Sequence, residues 1–222
     1  MMESAYIVQT LGASWRVPSK LQMVLEWMDQ GDLRGVLSAT NSETFRWHDK
    51  ATCMLAIAAG LVYLHSLSII HRDLKSRNVL LDSTKGTKLT DFGASRELSS
   101  EMMTLGVGTC RWMAPEVLLD THYTTAVDVY SFGVLLSELA THCLPYHTLR
   151  NDCGMPLAET AIISRVVQGS LRPVMDMPSC PPWVHALAMA CTQWEPEARP
   201  MAVEIAHAIA VHMAAPILHH VL

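Results

Sequence analysis

An eight-residue polar cluster, HRDLKSRN at positions 71–78, stands between stretches of very different character. The apolar LVYLHSLSII precedes it, and the short apolar runs VLL and TKLT follow it, separated by the turn-rich DSTKG. This order predicts a helix, an irregular polar loop and then a small antiparallel hairpin. The density of charged and polar side chains in these eight positions marks the cluster as a candidate site.

The predicted hairpin brings chemically useful side chains together. Asn78 stands just before its first strand and Asp91 just after its second, so an antiparallel pair places an amide oxygen beside a carboxylate. Oxygen ligands of this kind suit Mg²⁺. Asp73 adds a second carboxylate and Lys75 a cation. A carboxylate base, two metal ligands and a positive charge are the groups that phosphoryl transfer requires.

The rest of the chain predicts strands first and helices afterwards. YIVQTLGAS and LQMVLEWM, separated by WRVPSK, predict two adjacent strands, and DQGDLRGVL predicts a turn into a short helix. A helix is predicted from Trp47 to about His65, with one apolar face made of Ala51, Leu55, Ala58, Ala59 and Val62. Beyond residue 112 the pattern is helical, and VDVYSFGVLLSELAT is apolar enough to predict a central buried helix.

Composition excludes several classes of function. The 222 residues carry a net charge of -5, which gives no general attraction to nucleic acid. Six cysteines form no CxxC pair, and the first residues do not read as a secretory leader, so we expect a cytoplasmic protein. No uninterrupted apolar run approaches the length of about 18 residues that a membrane segment needs.

Four motifs in a fixed order identify a resemblance. HRDLKSRN, DFG at 91–93, GTCRWMAPE at 108–116 and DVYSFG at 128–133 resemble the catalytic core of eukaryotic protein kinases, and most closely the tyrosine-kinase-like branch of Ser/Thr kinases. The likeness covers roughly residues 5–212. It implies an α+β, protein-kinase-like fold with a complete, mainly helical C-lobe and only the last two strands of the N-lobe sheet. The implied domains are 1–28 (N-lobe remnant and hinge), 29–215 (C-lobe) and 216–222 (tail).

The resemblance also implies roles for the polar cluster. Asp73 would accept the proton of the substrate hydroxyl, and Lys75 would neutralise the transferred phosphoryl group of ATP. Asn78 and Asp91 would hold Mg²⁺. Lys75, two positions after the base, also resembles Ser/Thr kinases more than tyrosine kinases, so the implied partners are proteins with Ser or Thr acceptors.

Other positions take structural roles by the same resemblance. His71 and Phe92 would stack in the regulatory spine, and Asp128 would anchor it. Glu116 would pair with Arg199. This pair would hold the activation segment, ASRELSSEMMTLGVGTC at 94–110, against the helical lobe.

A third group of positions would bind or regulate. For adenine and ribose, the resemblance implies Leu25 as gatekeeper, the backbone of Glu26 and Met28, Leu80 beneath the ring and Asp32 near the ribose. For regulation, Arg72 would pair with a phosphate on the activation segment, preferably on Thr104. Thr109 would line the pocket for the residue after the phosphoacceptor.

Part of the kinase pattern is not found. No GxGxxG stretch precedes residue 71, and Lys20, in the turn between the first two predicted strands, is the only lysine before Lys50. The strand lysine and helix glutamate that hold the nucleotide phosphates are therefore expected to be missing, with loss of phosphate positioning. Two hypotheses follow: a Ser/Thr protein kinase domain, or a catalytically inactive kinase fragment that acts as a binding or scaffold module.

Overall fold

The computed structural model describes residues 4–91, 109–119, 121, 123–175 and 179–214. Seven α-helices lie within these ranges: α1 (Leu33–Ala39), α2 (Trp47–Ser66), α3 (Pro115–Leu118), α4 (Ala126–Thr141), α5 (Glu159–Val167), α6 (Pro182–Cys191) and α7 (Ala202–Ala214). Strands precede most of the helices, so the predicted α+β class is confirmed. None of the helices in the described ranges is both long and apolar enough to cross a membrane.

The first two strands form the predicted hairpin. β1 (Thr10–Ser14) and β2 (Gln22–Leu25) pair antiparallel, and a turn of 3₁₀-helix at Pro18–Lys20 lies in the connection. Almost every residue of both strands is exposed, including Leu11 and Met23. Two strands with both faces open are marginal in water, so the hairpin gains little stability from the described part of the chain.

The segment before β1 departs from the prediction. The sequence predicted one strand over YIVQTLGAS, but only its second half pairs with β2. Ile7 instead forms a parallel bridge with Leu89, and both Ile7 and Val8 are buried. Gly60 makes this possible, because a Cβ at that position would lie 2.8 Å from the Leu89 side chain and 3.3 Å from the Tyr6 carbonyl oxygen. Burial of the apolar side chains of Ile7 and Val8 in the core is therefore favoured over continued pairing with β2, and the predicted strand is divided.

A second, three-stranded sheet carries the predicted hairpin after the polar cluster. Its order is β3 (Gly31–Asp32), β4 (Val79–Asp82) and β5 (Gly86–Leu89), and neighbouring strands run antiparallel. Gly86 has a φ of 76°, which a residue with a side chain rarely adopts. This sheet fixes the C-terminal end of the polar loop, since β4 begins directly after the loop and β5 ends opposite the first residue of β4.

The two long helices form the centre of the core. α4 is buried from Val127 to Ala140, which confirms the predicted central helix. Gly133 lets α6 approach it, because a Cβ there would lie 2.7 Å from the Thr192 methyl group. α2 spans the predicted residues, but its most buried face agrees with the predicted one only in part, since the two share Ala58. The side chains with no exposed surface are Met54, Ile57, Ala58, Leu61 and Leu64, because α2 packs against α7, β5 and α4 together.

A buried lysine stands out in this core. The Lys50 residue is only 1% exposed, and its ammonium group lies 4.7 Å from the centre of the Trp47 ring. No ion pair or side-chain hydrogen bond joins it to another described residue. Burial lowers the pKa of Lys50 to about 8. The folded state therefore bears the cost of desolvating a cation that is compensated only in part, by the Trp47 ring and by an electrostatic interaction with Cys180.

Replacing Lys50 with methionine is expected to stabilise the protein by about 1–3 kcal/mol at pH 7, because the apolar chain stays and the charge is removed. The advantage of the variant over the wild type should shrink between about pH 8 and 10, because Lys50 then loses its charge in the folded wild type before it does so in the unfolded chain. Urea unfolding across this pH range measures both effects, with Lys20→Met as the exposed control. A destabilised Lys50→Met variant would contradict the argument.

Candidate active site

A buried carboxylate on α4 holds the polar loop in place. Asp128 has no exposed surface, and its two oxygens accept the backbone N–H groups of His71 (2.8 Å) and Arg72 (2.9 Å). Arg72 has a φ of 69°, an unfavourable value for a residue with a side chain. His65 Nε2 lies 2.9 Å from the same carboxylate. Asp128 thus stabilises a strained loop, and His65 is a contact that the sequence did not predict.

The buried His71 links the loop to the end of β5. Its Nε2 lies 3.1 Å from the Thr90 carbonyl oxygen, which can only accept, so Nε2 carries the proton. Nδ1 then accepts the backbone N–H of Asp73 at 3.4 Å. Burial is the main cause that lowers the pKa of His71. The ring is therefore neutral near pH 7 and orients the residue that the sequence singles out as a base.

The Asp73 carboxylate is held by two neighbours. Lys75 Nζ donates to both of its oxygens at 2.9 and 2.7 Å. Asn78 Nδ2 donates to the Asp73 carbonyl oxygen at 2.7 Å and to the carboxylate at 2.9 Å. The side chains of Asp73 and Lys75 are each 16% exposed, so the carboxylate can still be reached from outside.

Asn78 and Asp91 lie at neighbouring strand ends. Val79 pairs with Leu89 in the β4–β5 ladder, and Thr90 N donates to the Asn78 carbonyl oxygen at 3.0 Å. Asn78 Nδ2 donates to two acceptors, and no described residue is seen to donate to Oδ1, which is the atom of the amide that suits a cation. The Asp91 residue is exposed and has a φ of 63°. The carboxylate and the amide oxygen therefore fit the donor set of a magnesium site.

The predicted adenine and ribose residues lie on two sheets and on the segment between them. Leu25 ends β2 and is 41% exposed, while Met28 is buried. Leu80 pairs directly with Asp32 in the second sheet. Asp32 also caps α1, with its Oδ1 accepting Gly35 N at 2.8 Å. Glu26 lies between the two sheets, at the exit from β2.

Glu116 and Arg199, predicted as a pair, are in contact. Their two nitrogen–oxygen distances are 2.5 and 2.9 Å, and the guanidinium side chain has no exposed surface. This pair joins α3 to the segment before α7, 83 positions away.

The regulatory residues are only partly described. Arg72 lies over the ring of Tyr123, with 5.2 Å between the guanidinium carbon and the ring centre. Thr109 begins a turn of 3₁₀-helix that ends at Trp112. Phe92 and Thr104 lie outside the described residues.

Sequence reasoning missed a second buried acid on α4. Glu138 has no exposed surface, and it accepts Ser76 Oγ at 2.7 Å and Trp112 Nε1 at 2.8 Å. Arg34 lies 3.5 Å away. Burial raises the pKa of Glu138, although these hydrogen bonds oppose the effect. The signal available in the sequence was a lone acid inside the apolar VLLSELA. In the structure, Glu138 joins the polar loop, through Ser76, to Trp112.

Comparison with known protein families identifies the family of this chain. Residues 1–209 match the protein kinase domain. The chain belongs to the protein kinase family. The resemblance inferred from the four motifs is thereby confirmed, together with the α+β kinase fold.

Several curated kinases are similar to this kinase chain. A probable serine/threonine-protein kinase of Dictyostelium discoideum is 36% identical over 207 residues, which cover 90% of the chain and 32% of the relative. The serine/threonine/tyrosine-protein kinase HT1 of Arabidopsis thaliana is 37% identical, covering 87% of the chain and 47% of the relative. The Arabidopsis serine/threonine-protein kinase STY17 is 38% identical, with 90% and 33% covered. The kinase chain thus spans about a third to a half of the length of these relatives.

Proposed function

We propose that this protein is a Ser/Thr protein kinase that transfers the γ-phosphate of ATP to hydroxyl groups of protein substrates in intracellular signalling. The observation that carries the proposal is the Asp73 carboxylate, held by Lys75 and Asn78 in a loop that is anchored on buried Asp128. All six cysteines are free thiols, which supports a reducing compartment.

The loop residues divide the chemistry among them. Asp73 would accept the proton of the attacking hydroxyl as the oxygen bonds to phosphorus and the bond to ADP breaks. Lys75, already beside Asp73, would offset negative charge on the transferred group. Asn78 and Asp91 would hold Mg²⁺, which neutralises phosphate charge when bound. His71 and Asp128 keep the loop in shape without touching the substrate.

The sequence departs from the kinase pattern on the opposite side of the nucleotide. No glycine-rich loop and no strand lysine occur among residues 1–70. The 222-residue chain would therefore hold phosphates only from the side of the polar loop. We expect weak turnover from it, because positioning supplies much of the catalysis in phosphoryl transfer.

Regulation by phosphorylation fits the same loop. A phosphate on Thr104 would attract Arg72, whose backbone N–H is anchored on Asp128. Such a contact would compete with the stacking of Arg72 on Tyr123.

A labelling experiment tests the proposed function. The 222-residue chain, and any longer in-frame product of its transcript, are each incubated with Mg²⁺, γ-labelled ATP and a protein substrate that offers Ser, Thr and Tyr. We expect phosphoserine and phosphothreonine from any product that carries a glycine-rich loop and a strand lysine, and much less label from the 222-residue chain. Mainly phosphotyrosine would contradict the acceptor class. No label from either protein would favour the binding-module hypothesis.

A further inference from the structure

The segment that leaves β2 is held from outside by the β4–β5 hairpin. This segment, residues 26–29, is called the hinge here. Glu26 Oε1 accepts Lys88 Nζ and the backbone N–H of Gln9, both at 2.7 Å. Burial alone would raise the pKa of Glu26, but these hydrogen bonds outweigh it and lower the pKa. Glu26 is thus a charged, mostly covered side chain with fixed partners.

This side-chain contact leaves the Glu26 carbonyl unused. Glu26 N donates to the Gln9 carbonyl oxygen at 3.0 Å, as one half of an antiparallel pair. The other half would run from Gln9 N to the Glu26 carbonyl, but Gln9 N donates to the Glu26 carboxylate instead. No backbone N–H within the described ranges donates to the Glu26 carbonyl oxygen. An acceptor at the exit from β2 therefore stays available.

A second lysine fixes the next peptide of the hinge. Lys85 Nζ donates to the Trp27 carbonyl oxygen and lies 3.0 Å from Asp82 Oδ2. Because a trans peptide is planar, its N–H points away from its C=O. Lys85 therefore turns Met28 N–H away from the hairpin. Asp82 Oδ2 also accepts Asp29 N at 3.1 Å, which fixes the peptide on the other side of Met28.

The anchor of this arrangement is itself well held. Asp82 Oδ1 accepts the backbone N–H groups of Thr84 (3.0 Å) and Lys85 (2.9 Å). Burial opposes ionisation of Asp82, but these contacts dominate and lower its pKa well below the usual range. The Asp29 side chain also contacts the hairpin, because Asp29 Oδ1 accepts the backbone N–H of Ser83 at 2.8 Å.

We propose that Glu26, Asp82, Lys85 and Lys88 form a hinge clamp that presents the Glu26 carbonyl and Met28 N–H to adenine. These four are positioning residues, because none of them needs to touch the ligand with its side chain. The inference rests on the proposed function as far as ATP is the substrate. It adds that adenine affinity is set from the outer face of the hinge by the β4–β5 hairpin.

Nucleotide binding without catalysis tests the clamp. Mg²⁺-ADP is titrated into the full chain, and the dissociation constant is followed by NMR, which reaches the millimolar range. Lys88→Met and Lys85→Met should each weaken ADP binding about 5- to 20-fold, as expected for a lost charge-assisted contact. Lys85→Arg should keep most of the affinity, because it can still donate to Trp27 and Asp82. Lys20→Met is the matched control.

Two further readouts separate positioning from general damage. Melting temperatures of the clamp variants should stay within a few degrees of the wild type, and the preference for ADP over UDP should shrink, because only adenine needs the ordered hinge. The clamp would be overturned if the wild type binds ADP and the Lys85→Met and Lys88→Met variants bind it with the same affinity. A wild-type chain that binds ADP no better than UDP would overturn the clamp too. If ADP does not bind at all, the proposed ATP-dependent function fails with it.

Discussion

Asp73→Asn is expected to lower the rate of phosphoryl transfer by about 100- to 10,000-fold, the usual effect of removing a general base. Asparagine keeps the size of the side chain, so the loop should keep its shape. One carboxylate oxygen becomes an NH₂ group, which cannot accept from Lys75 or Asn78. Single-turnover transfer from γ-labelled ATP, with the 222-residue chain at high concentration, measures the loss.

The structure also says what should not change in this variant. Asp73 is partly exposed and His71 remains anchored on Asp128, so the melting temperature and the ADP dissociation constant should stay near wild type. Asp152→Asn, at an exposed position, is the charge-matched control and should transfer phosphate normally. A variant that keeps more than about a tenth of wild-type transfer would contradict the role of Asp73 as base.

Local patterns predicted the parts of the fold that depend on neighbouring residues. The limits of α2, the β4–β5 hairpin and the burial of α4 follow from periodicity and turn residues, and each agrees with the structure. The proximity of Asn78 and Asp91 is of the same kind, because a hairpin with a known turn determines which ends meet. The domain boundaries at 28 and 215 stay predictions.

What the sequence could not predict depends on distant partners. Ile7 and Val8 leave the predicted strand because Gly60, more than 50 positions away, opens a place against Leu89. The buried face of α2 is shifted because three elements surround the helix. Such choices are made by tertiary packing and leave no periodic signal.

The same limit explains the missed polar contacts. Glu138 gains its meaning only when Ser76 and Trp112 are brought to it. Lys85 and Lys88 read as ordinary charges of a surface hairpin until the hinge is placed beside them. A charged residue that becomes buried needs a partner, but the sequence does not show which residue that partner is.

Arg199→Lys is expected to destabilise the protein by about 2–5 kcal/mol, because it keeps the charge but leaves at least two buried acceptors without a donor, each at a cost of about 1–3 kcal/mol. The Arg199 guanidinium uses all of its donors. Nη1 and Nη2 bind the two oxygens of Glu116, and three backbone carbonyl oxygens take the rest: Gln193 at 2.7 Å and Ala126 and Trp194 at 3.0 Å. Lysine has at most three donors from one atom, so it leaves acceptors unsatisfied.

Urea unfolding at pH 7 measures this loss, and Arg165→Lys, at an exposed position, serves as control with an expected change within about 0.5 kcal/mol. A loss below about 1 kcal/mol in Arg199→Lys would mean that the paired geometry contributes little. Combining Arg199→Met with Glu116→Leu should be less damaging than the sum of the two single variants, because no unpaired charge remains buried. Recovery should still be incomplete, since the three carbonyl oxygens lose their donors in either case.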